Sequence, residues 1–466
     1  MRTRESSGAS ASPFGTADQQ AALARSASAP EGVTGRTSDA LARLRRRRRT
    51  GRYKVERVPF ADLDGWSFQE STGNLVHHSG RFFAVEGMRV AVRTPGRRRS
   101  WHQPVINQPE TGILGILAKK FDGVLHFLMQ AKMEPGNPHL VQLSPTLQAT
   151  RSNYTRVHGG TTVKYLDYFT RPGERERVLA DGLQSEHGAW FRGKFNRNMV
   201  VETTGEVQPH DGFEWLTLRQ ISELLCADHV VNMDARTVLS CLPVRPGTGR
   251  PLHPVGELLS WITAERSLQE VRAQTVPLAG LPDWTMGPWS IDHRHSRYFR
   301  VVAVAAEAAD REVPSWSQPL VEPLSTGIVA FLTRTFDGTP HVLVRARAEG
   351  GLRDQVEFGP TVQCTPNNYV HLPASEQPPF LATVSSAPPE RIRYQALHSE
   401  EGGRFLDSQA RYLLVEADER MAPKAAPSGF RWISIAQLGF LVRHGHYVSV
   451  QARTLLACLR ATAEAA

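Results

Sequence analysis

Ser100-Trp101-His102-Gln103-Pro104 returns 215 residues later as Ser315-Trp316-Ser317-Gln318-Pro319. Extending outward at that offset pairs residues 100–154 with 315–369, without a gap and with 23 identities in 55 positions. Phe121-Asp122-Gly123 and His126 reappear as Phe336-Asp337-Gly338 and His341, and Pro145-Thr146 and Gln148 as Pro360-Thr361 and Gln363. Beyond the ungapped block, Ser185-Glu186 and Gly188 pair with Ser399-Glu400 and Gly402, Phe213 and Trp215 with Phe430 and Trp432, and Ala235-Arg236-Thr237 with Ala452-Arg453-Thr454. Upstream, Trp66-Ser67 is matched with Trp289-Ser290. A period of domain size, far above the roughly 20–50 residues of a solenoid, makes the chain a tandem duplication of one globular unit.

Length alone allows two or three domains in 466 residues, and the repeat settles on two. Their expected bounds are 51–245 and 286–466, with a linker over 246–285 that holds a helical stretch from Leu258 to Val271. Residues 1–58 carry thirteen Arg and Lys against five Asp and Glu, which is +8 of the net +9. The rest is close to neutral and lacks the electrostatic footprint of a nucleic-acid domain, so a nucleic-acid partner is disfavoured. Residues 1–50, rich in Ala, Ser, Gly and Arg, bury too little apolar surface to offset their ordering entropy and are expected to be disordered. Arg outnumbers Lys 48 to 7 along the whole chain, so the run Arg45–Arg49 reads as compositional bias and solvated charge rather than as a binding arm.

No apolar run reaches 18 residues, which disfavours a membrane span, and no apolar segment follows Arg2 and Arg4 as a secretory signal would require. The four cysteines, at 226, 241, 364 and 458, show no CxxC spacing, which suits a reducing cytoplasm.

Apolar runs at 111–118 and 123–131 flank Asp122-Gly123, a strong hairpin signal, and 326–333 and 340–346 repeat it around Asp337-Gly338. Residues 81–93 and 140–149 also read as strands. Helical spacing is found from Leu216 to Leu225, Arg236 to Leu242, Ile433 to Val442 and Arg453 to Leu459. Each unit is therefore α+β, strand-rich with helices toward its end.

Thr150-Arg151-Ser152-Asn153-Tyr154-Thr155-Arg156-Val157-His158 lies where a strand ends, and offers the donors and guanidinium that a phosphate or sugar needs. Its counterpart, Thr365-Pro366-Asn367-Asn368-Tyr369-Val370-His371, replaces Arg151 by Pro366 and loses Arg156, so it has less capacity for a diphosphate. A plain polar connector with Asx turns is the alternative. Gln130, Lys132 and Glu134 share one strand face, as do Arg345, Arg347 and Glu349; either set can bind a nucleotide sugar or simply be solvated. Ser185 and Ser399 can cap turns, and Glu186 or Glu400 can serve as a general base or lie on the surface. Trp66 and Trp289 can stack on a base or pack on a strand. No GxGxxG, Walker or HExxH motif occurs, so no cofactor or metal is expected.

Three strings, Ser100–Glu110, His126–Gly136 and Leu143–Thr155, resemble the nucleotide-hexose 2,3-dehydratases of deoxysugar biosynthesis, and the resemblance spans roughly residues 53–460. It implies a homodimer of chains that each hold two tandem Nudix-like α/β/α sandwich domains, with a nucleotide-sugar pocket in each. The Nudix hydrolase signature is absent, and Ser185-Glu186 and Ser399-Glu400-Glu401-Gly402 are its nearest remnants. The implied substrate is dTDP-4-keto-6-deoxy-glucose, with a 3-ketoreductase acting on the product. The first-half pocket is expected to be catalytic, with Tyr154, His158, Glu186 and Lys132 as acid/base candidates and Trp66, Thr150, Arg151, Ser152, Asn153 and Ser185 binding substrate. Trp289, Arg347, Thr365, Pro366, Asn367, Asn368, Tyr369, Arg393, Tyr394, Ser399 and Glu400 are assigned to a second, relic pocket. A nucleotide-sugar sensor and a Nudix-type pyrophosphatase are the rival readings.

Overall fold

The computed structural model describes residues 16–94, 97–150, 163–243, 249–311 and 313–465. The hairpin signals hold. Asp122 and Gly123 both take positive φ (47° and 79°), as do Asp337 and Gly338 (48° and 74°), the conformation a two-residue turn demands. They join β6 (Gly112–Phe121) to β7 (Val124–Met133), and β18 (Gly327–Phe336) to β19 (Thr339–Ala348).

Each repeat builds a seven-stranded mixed sheet. In the first, β8 (Val141–Ser144), β7, β6, β11 (Phe195–Thr203) and β10 (Glu176–Ser185) lie in that order, with β9 (Leu147–Ala149) on β6 and β12 (Phe213–Thr217) on β7. The second repeats it with β20 (Val356–Gly359), β19, β18, β23 (Gln409–Glu416) and β22 (Ile392–Ser399), plus β21 (Val362–Cys364) and β24 (Phe430–Ser434). The β6–β11 and β18–β23 pairs are parallel and the other pairs antiparallel. Pro145-Thr146 and Pro360-Thr361 break the expected single strand into two. The hydroxyl of Thr146 accepts from Leu117 N at 2.9 Å and donates to the Leu128 carbonyl, and Thr361 does the same between Leu332 and Leu343.

Helices follow each sheet: α3 (Leu218–Leu225) and α4 (Met233–Ser240), then α6 (Ile435–Val442) and α7 (Val450–Ala465). Reciprocal capping boxes, Thr217 with Gln220 and Ser434 with Gln437, fix where α3 and α6 begin. None of the described helices is long and apolar enough to cross a membrane.

The smaller sheets show how the repeats are joined. The first contains β2 (Trp66–Phe68), β3 (Leu75–His77), β4 (Ala84–Thr94) and β5 (Arg97–Asn107); the second contains β14 (Trp284–Met286), β15 (Ser290–His293), β16 (Phe299–Ala308) and β17 (Ser315–Pro323). Each takes its fifth strand from the other repeat. β1 (Tyr53–Val58) pairs with β16, and β13 (Glu270–Val276) pairs with β4. The expected linker is therefore no tether. It holds α5 (Val255–Leu268), which packs on the second repeat, and β13, which belongs to a sheet of the first.

The disordered leader is corrected in the same way. Residues 17–50 include α1 (Ala17–Ser28) and α2 (Thr37–Thr50), which bury Leu23, Ala40 and Leu44 in the main core. The arginine run is only partly solvated. Arg48 donates to the carbonyls of Val141 (2.8 Å) and His229 (2.5 Å), as Arg266 of α5 donates to those of Val356 and His446. Composition underestimated this segment because two Leu and a few Ala on one helix face suffice when a larger core receives them.

Further reciprocal contacts lock the halves. The buried Arg236 guanidinium donates to the Ser399 carbonyl (2.6 Å), and the buried Arg453 guanidinium to that of Ser185 (2.6 Å). Gly136 N donates to Gly402 O (2.8 Å) and Gly351 N to Gly188 O (2.7 Å), with no room for a side chain at either crossing.

Candidate active site

Two cavities between the repeats carry charged side chains on their floors, and each is built by both repeats. The first, of about 570 Å³, has a floor of Lys132, Glu134, Gln148 and Thr150 from the first repeat. Its facing wall carries Trp316, Gln318, Glu401 and Arg404 from the second. The second, of about 420 Å³, sets Arg345, Arg347, Glu349, Gln363 and Tyr369 against Trp101, Gln103, Gly188 and Ala189. The repeated pentapeptide supplies these walls. Trp101 Nε1 donates to Gln103 Oε1 (2.7 Å), and Gln103 Nε2 to Ala189 O (2.5 Å); Trp316, Gln318 and Gly403 repeat the chain at 3.1 and 2.7 Å.

On the first floor, Glu134 accepts from Gln148 Nε2 (2.7 Å), Asn137 Nδ2 (3.0 Å) and Asn232 Nδ2 (3.3 Å). Lys132 Nζ lies 3.5 Å from the Gln148 carbonyl. On the second floor Glu349 is met by Arg347 Nε (2.7 Å) and Gln363 Nε2 (3.2 Å). Both faces thus contribute to cavity floors, with Lys132 and Glu134 buried rather than solvated.

The two cavities differ where the copies diverge. Glu401 corresponds to His187, Arg404 to Trp190, Lys194 to Ser408, Asn196 to Ala410 and Asp234 to Gln451. The first cavity thus gathers Glu134, Asp234 and Glu401 with Lys132, Lys194 and Arg404. Arg404 Nε donates to Gln108 Oε1 (3.1 Å), and its guanidinium lies 4.3 Å from the Phe83 ring centre. Burial, with the charges of Glu186 and Glu134 added, pushes Glu401 up to about 7 against the opposing Arg404 and Lys194. Burial and the carboxylates of Glu401, Glu134 and Glu186 hold Asp234 well above its ordinary value. Burial lowers Lys194. A carboxyl group that titrates near neutrality beside cations, as Glu401 does, can both take and give a proton at physiological pH.

Of the expected site residues, Lys132, Trp66 and Thr150 line the first cavity, and Arg347 and Tyr369 the second. Arg151, Ser152, Asn153, Tyr154 and His158 lie outside the described residues. Glu186 is buried behind the first cavity, where Oε1 accepts from Asn196 Nδ2 (2.7 Å). Ser185 Oγ is turned away to Glu357 (2.7 Å), and Ser399 Oγ to Gln142 (2.9 Å). Glu400 is bound by His187 Nε2 (2.9 Å) and the Tyr412 hydroxyl (2.8 Å), so it is an inter-repeat contact.

Several assignments to the second pocket are corrected. Tyr394 is a core residue whose hydroxyl donates to Leu225 O (2.6 Å), and Arg393 makes an exposed ion pair with Glu416. Pro366–Asn368 form a short 3-10 turn after Thr365, and Asn368 Oδ1 accepts from Tyr298 N (3.2 Å); Tyr369, which follows, is the part of this loop on the cavity. Trp289 is more than half exposed and is not the mate of Trp66. That mate is Trp284: Trp66 Nε1 donates to Ser317 O (3.1 Å) and Trp284 Nε1 to His102 O (2.8 Å), and each stands edge-on to His77 or His293. Trp66 and Trp284 stand at an offset of 218, three more than in the ungapped block, and the Trp-Ser pair shared with Trp289-Ser290 drew the match onto the wrong tryptophan.

Intertwined α+β repeats around a cavity of paired acids and cations define an acid–base enzyme acting on an anionic ligand. The chain matches the family model of NDP-hexose 2,3-dehydratase over residues 37–242 and 255–459, and it belongs to that family. It is 58% identical over 445 residues to a dTDP-4-dehydro-6-deoxy-alpha-D-glucopyranose 2,3-dehydratase of Amycolatopsis orientalis, covering 95% of this chain and 94% of that protein. Proteins of the same description from Streptomyces violaceoruber and Saccharopolyspora spinosa are 48% and 47% identical. These alignments cover 88% and 87% of this chain, and 94% and 88% of the two relatives.

Proposed function

We propose that the protein dehydrates dTDP-4-keto-6-deoxy-D-glucose in its first cavity, giving the 3,4-diketo-2,6-dideoxy sugar nucleotide. The observation that carries the choice of cavity is the divergence of the copies: Glu134, Asp234, Glu401, Lys132, Lys194 and Arg404 gather in the first cavity, and of their counterparts only Glu349 and Arg347 keep an acid or a Lys/Arg cation. The C4 ketone acidifies the C3 proton, a base removes it, and the resulting enolate expels the C2 hydroxyl as water with the help of an acid. Lys132, Lys194 and Arg404 supply positive charge for the enolate and the diphosphate. Thr150 lines this cavity, and Arg151, Ser152 and Asn153, which follow it in the sequence, are suited by their side chains to hold phosphate or sugar, with Tyr154 and His158 as further acid/base candidates. Trp66 offers an aromatic wall.

The second cavity, with Arg345, Arg347 and Tyr369, is proposed to bind a nucleotide sugar without turning it over. Support for a Nudix-like origin of each repeat comes from the mixed sheet with its single parallel pair and flanking helices. A cytoplasmic homodimer whose product passes to a 3-ketoreductase completes the proposal.

The test incubates the full-length protein with this substrate, a 3-ketoreductase and NADPH, which trap the unstable product. A dTDP-sugar lighter by one oxygen than the substrate in a reductase-only control is expected. Unchanged substrate that still binds would point to the sensor reading, and released dTMP to a pyrophosphatase.

A further inference from the structure

The pseudo-two-fold relation between the repeats carries His187 onto Glu401 and Glu400 onto Glu186. On one side of the interface, His187 Nε2 and Glu400 Oε2 meet at 2.9 Å as a buried ion pair, with the Tyr412 hydroxyl on the other carboxylate oxygen. On the other side, the same two positions are both glutamates. Glu186 is 2% exposed, and Glu401 keeps part of its surface open to the first cavity. Oε2 of each is buried and finds no hydrogen-bond partner among the described residues. A Cβ placed on Gly403 would lie 3.6 Å from Glu401 Oε1 and 3.8 Å from Glu134 Oε1, so the exposed edge of Glu401 flanks the floor carboxylate. Neighbouring carboxyl groups withdrawn from water do not both ionise, and they hold a proton between them.

We propose that Glu401, supplied by the second repeat, is the catalytic residue that moves the substrate proton in the first cavity, and that Glu186 is its positioning partner. This rests on the dehydratase reading above. In the gluco configuration the C3 hydrogen and the C2 hydroxyl lie on the same face of the ring, so one carboxyl group can serve both. The Glu401 carboxylate takes the C3 proton; the C–H electron pair forms the C3=C4 bond and the C4 oxygen becomes negative. As C4=O re-forms, C2=C3 forms and the C2–O bond breaks. Glu401 returns its proton to the departing oxygen, which leaves as water. The 3-hydroxy-enone then loses its O3 proton and gains one at C2. Glu401 ends in the state in which it began.

The groups facing Glu401 are Glu186 from the loop after β10, Glu134 from the end of β7, Asp234 on α4, and Lys194 and Arg404 opposing them. Glu401 must be ionised to accept the C3 proton, so kcat/KM falls as pH drops through about 7.

The test uses full-length Glu401→Gln, Glu401→Asp and Glu186→Gln, with calorimetric binding of dTDP, C3–H exchange in D2O, and trapped dehydration. Glu401→Gln is expected to bind dTDP within a few-fold of wild type and to lose exchange and dehydration together by about 10²–10⁴-fold. Glu401→Asp recovers part of both. In Glu186→Gln, exchange persists and the acid limb of the pH profile moves to lower pH. If wild type dehydrates while Glu401→Gln exchanges and dehydrates nearly as fast, the inference is wrong. It is equally overturned if Glu401→Gln loses dTDP binding, or if the acid limb stays put in Glu186→Gln. A wild-type protein that does not dehydrate sinks the functional reading instead.

Discussion

Glu357 offers a stability gain by making the second repeat copy the first. Its side chain is fully buried, with one oxygen accepting from Ser185 Oγ at 2.7 Å and the other without a partner among the described residues. The corresponding position is Gln142, whose Oε1 accepts from Ser399 Oγ at 2.9 Å. Burial pushes Glu357 from the ordinary 4.5 up to about 7, against the opposing effects of the Ser185 hydrogen bond and Arg453. A carboxyl group whose pKa is higher in the folded state binds its proton more tightly when folded, so stability falls as pH rises through the window from 4.5 to about 7. At about 1.4 kcal/mol per unit, the penalty is about 3 kcal/mol at pH 8 and under about 1 kcal/mol at pH 5. Glu357→Gln removes the ionisation and keeps the acceptor for Ser185. Urea unfolding at both pH values should show about 3 kcal/mol gained at pH 8 and little at pH 5, with the m-value unchanged. A variant less stable than wild type at pH 8, or a gain equal at both pH values, would refute the reasoning.

The glycine crossings separate architecture from chemistry. A Cβ at Gly136 would stand 1.8 Å from Phe405 O, and one at Gly351 1.7 Å from Phe191 O, so Gly136→Ala and Gly351→Ala should each cost about 2–5 kcal/mol through overpacking and weakened backbone bonds. Calorimetry should find both melting lower, and Gly136→Ala, which displaces the segment holding Glu401, should also lower turnover per folded molecule. Deleting residues 1–50 should destabilise the protein by at least about 3–6 kcal/mol from exposure around Leu23 and Leu44 alone, read as a lower urea midpoint. Unchanged stability would return the leader to the solvated role that its composition suggested.

What the sequence disclosed was whatever the two copies share. The pentapeptide, the Asp-Gly turns, Thr146 and Thr361, and Arg236 and Arg453 were all visible as repeated text, and all prove to hold strands, walls or the two halves in place. Lys132 was found because strand alternation put it on a face with Glu134. Arg404, Lys194 and Asp234 went unremarked, and Glu401 was noted only within a signature remnant, for the opposite reason. Their counterparts are His187, Trp190, Ser408 and Gln451, and a search for agreement between copies passes over positions where they disagree. The signal existed in the same alignment: acids and cations present in one copy only. The strand exchange through β1 and β13 had no local sign, because a strand's residues specify that it pairs and leave open which sheet receives it.

That exchange explains why a second repeat with less chemistry of its own is retained whole. The first cavity needs Trp316, Gln318, Glu401 and Arg404, and these stand in place only if β17 and the loop after β22 are built on the two intact sheets of the second repeat. The smaller of those sheets in turn needs β1 from the first repeat, and the first repeat's small sheet needs β13. Neither half can lose its core without opening the other, so drift in the second repeat is confined to the lining of its own cavity. There Arg345 and Arg347 stand in place of Gln130 and Lys132. Duplication followed by strand exchange thus leaves one cavity free to specialise, with the other repeat serving as its wall.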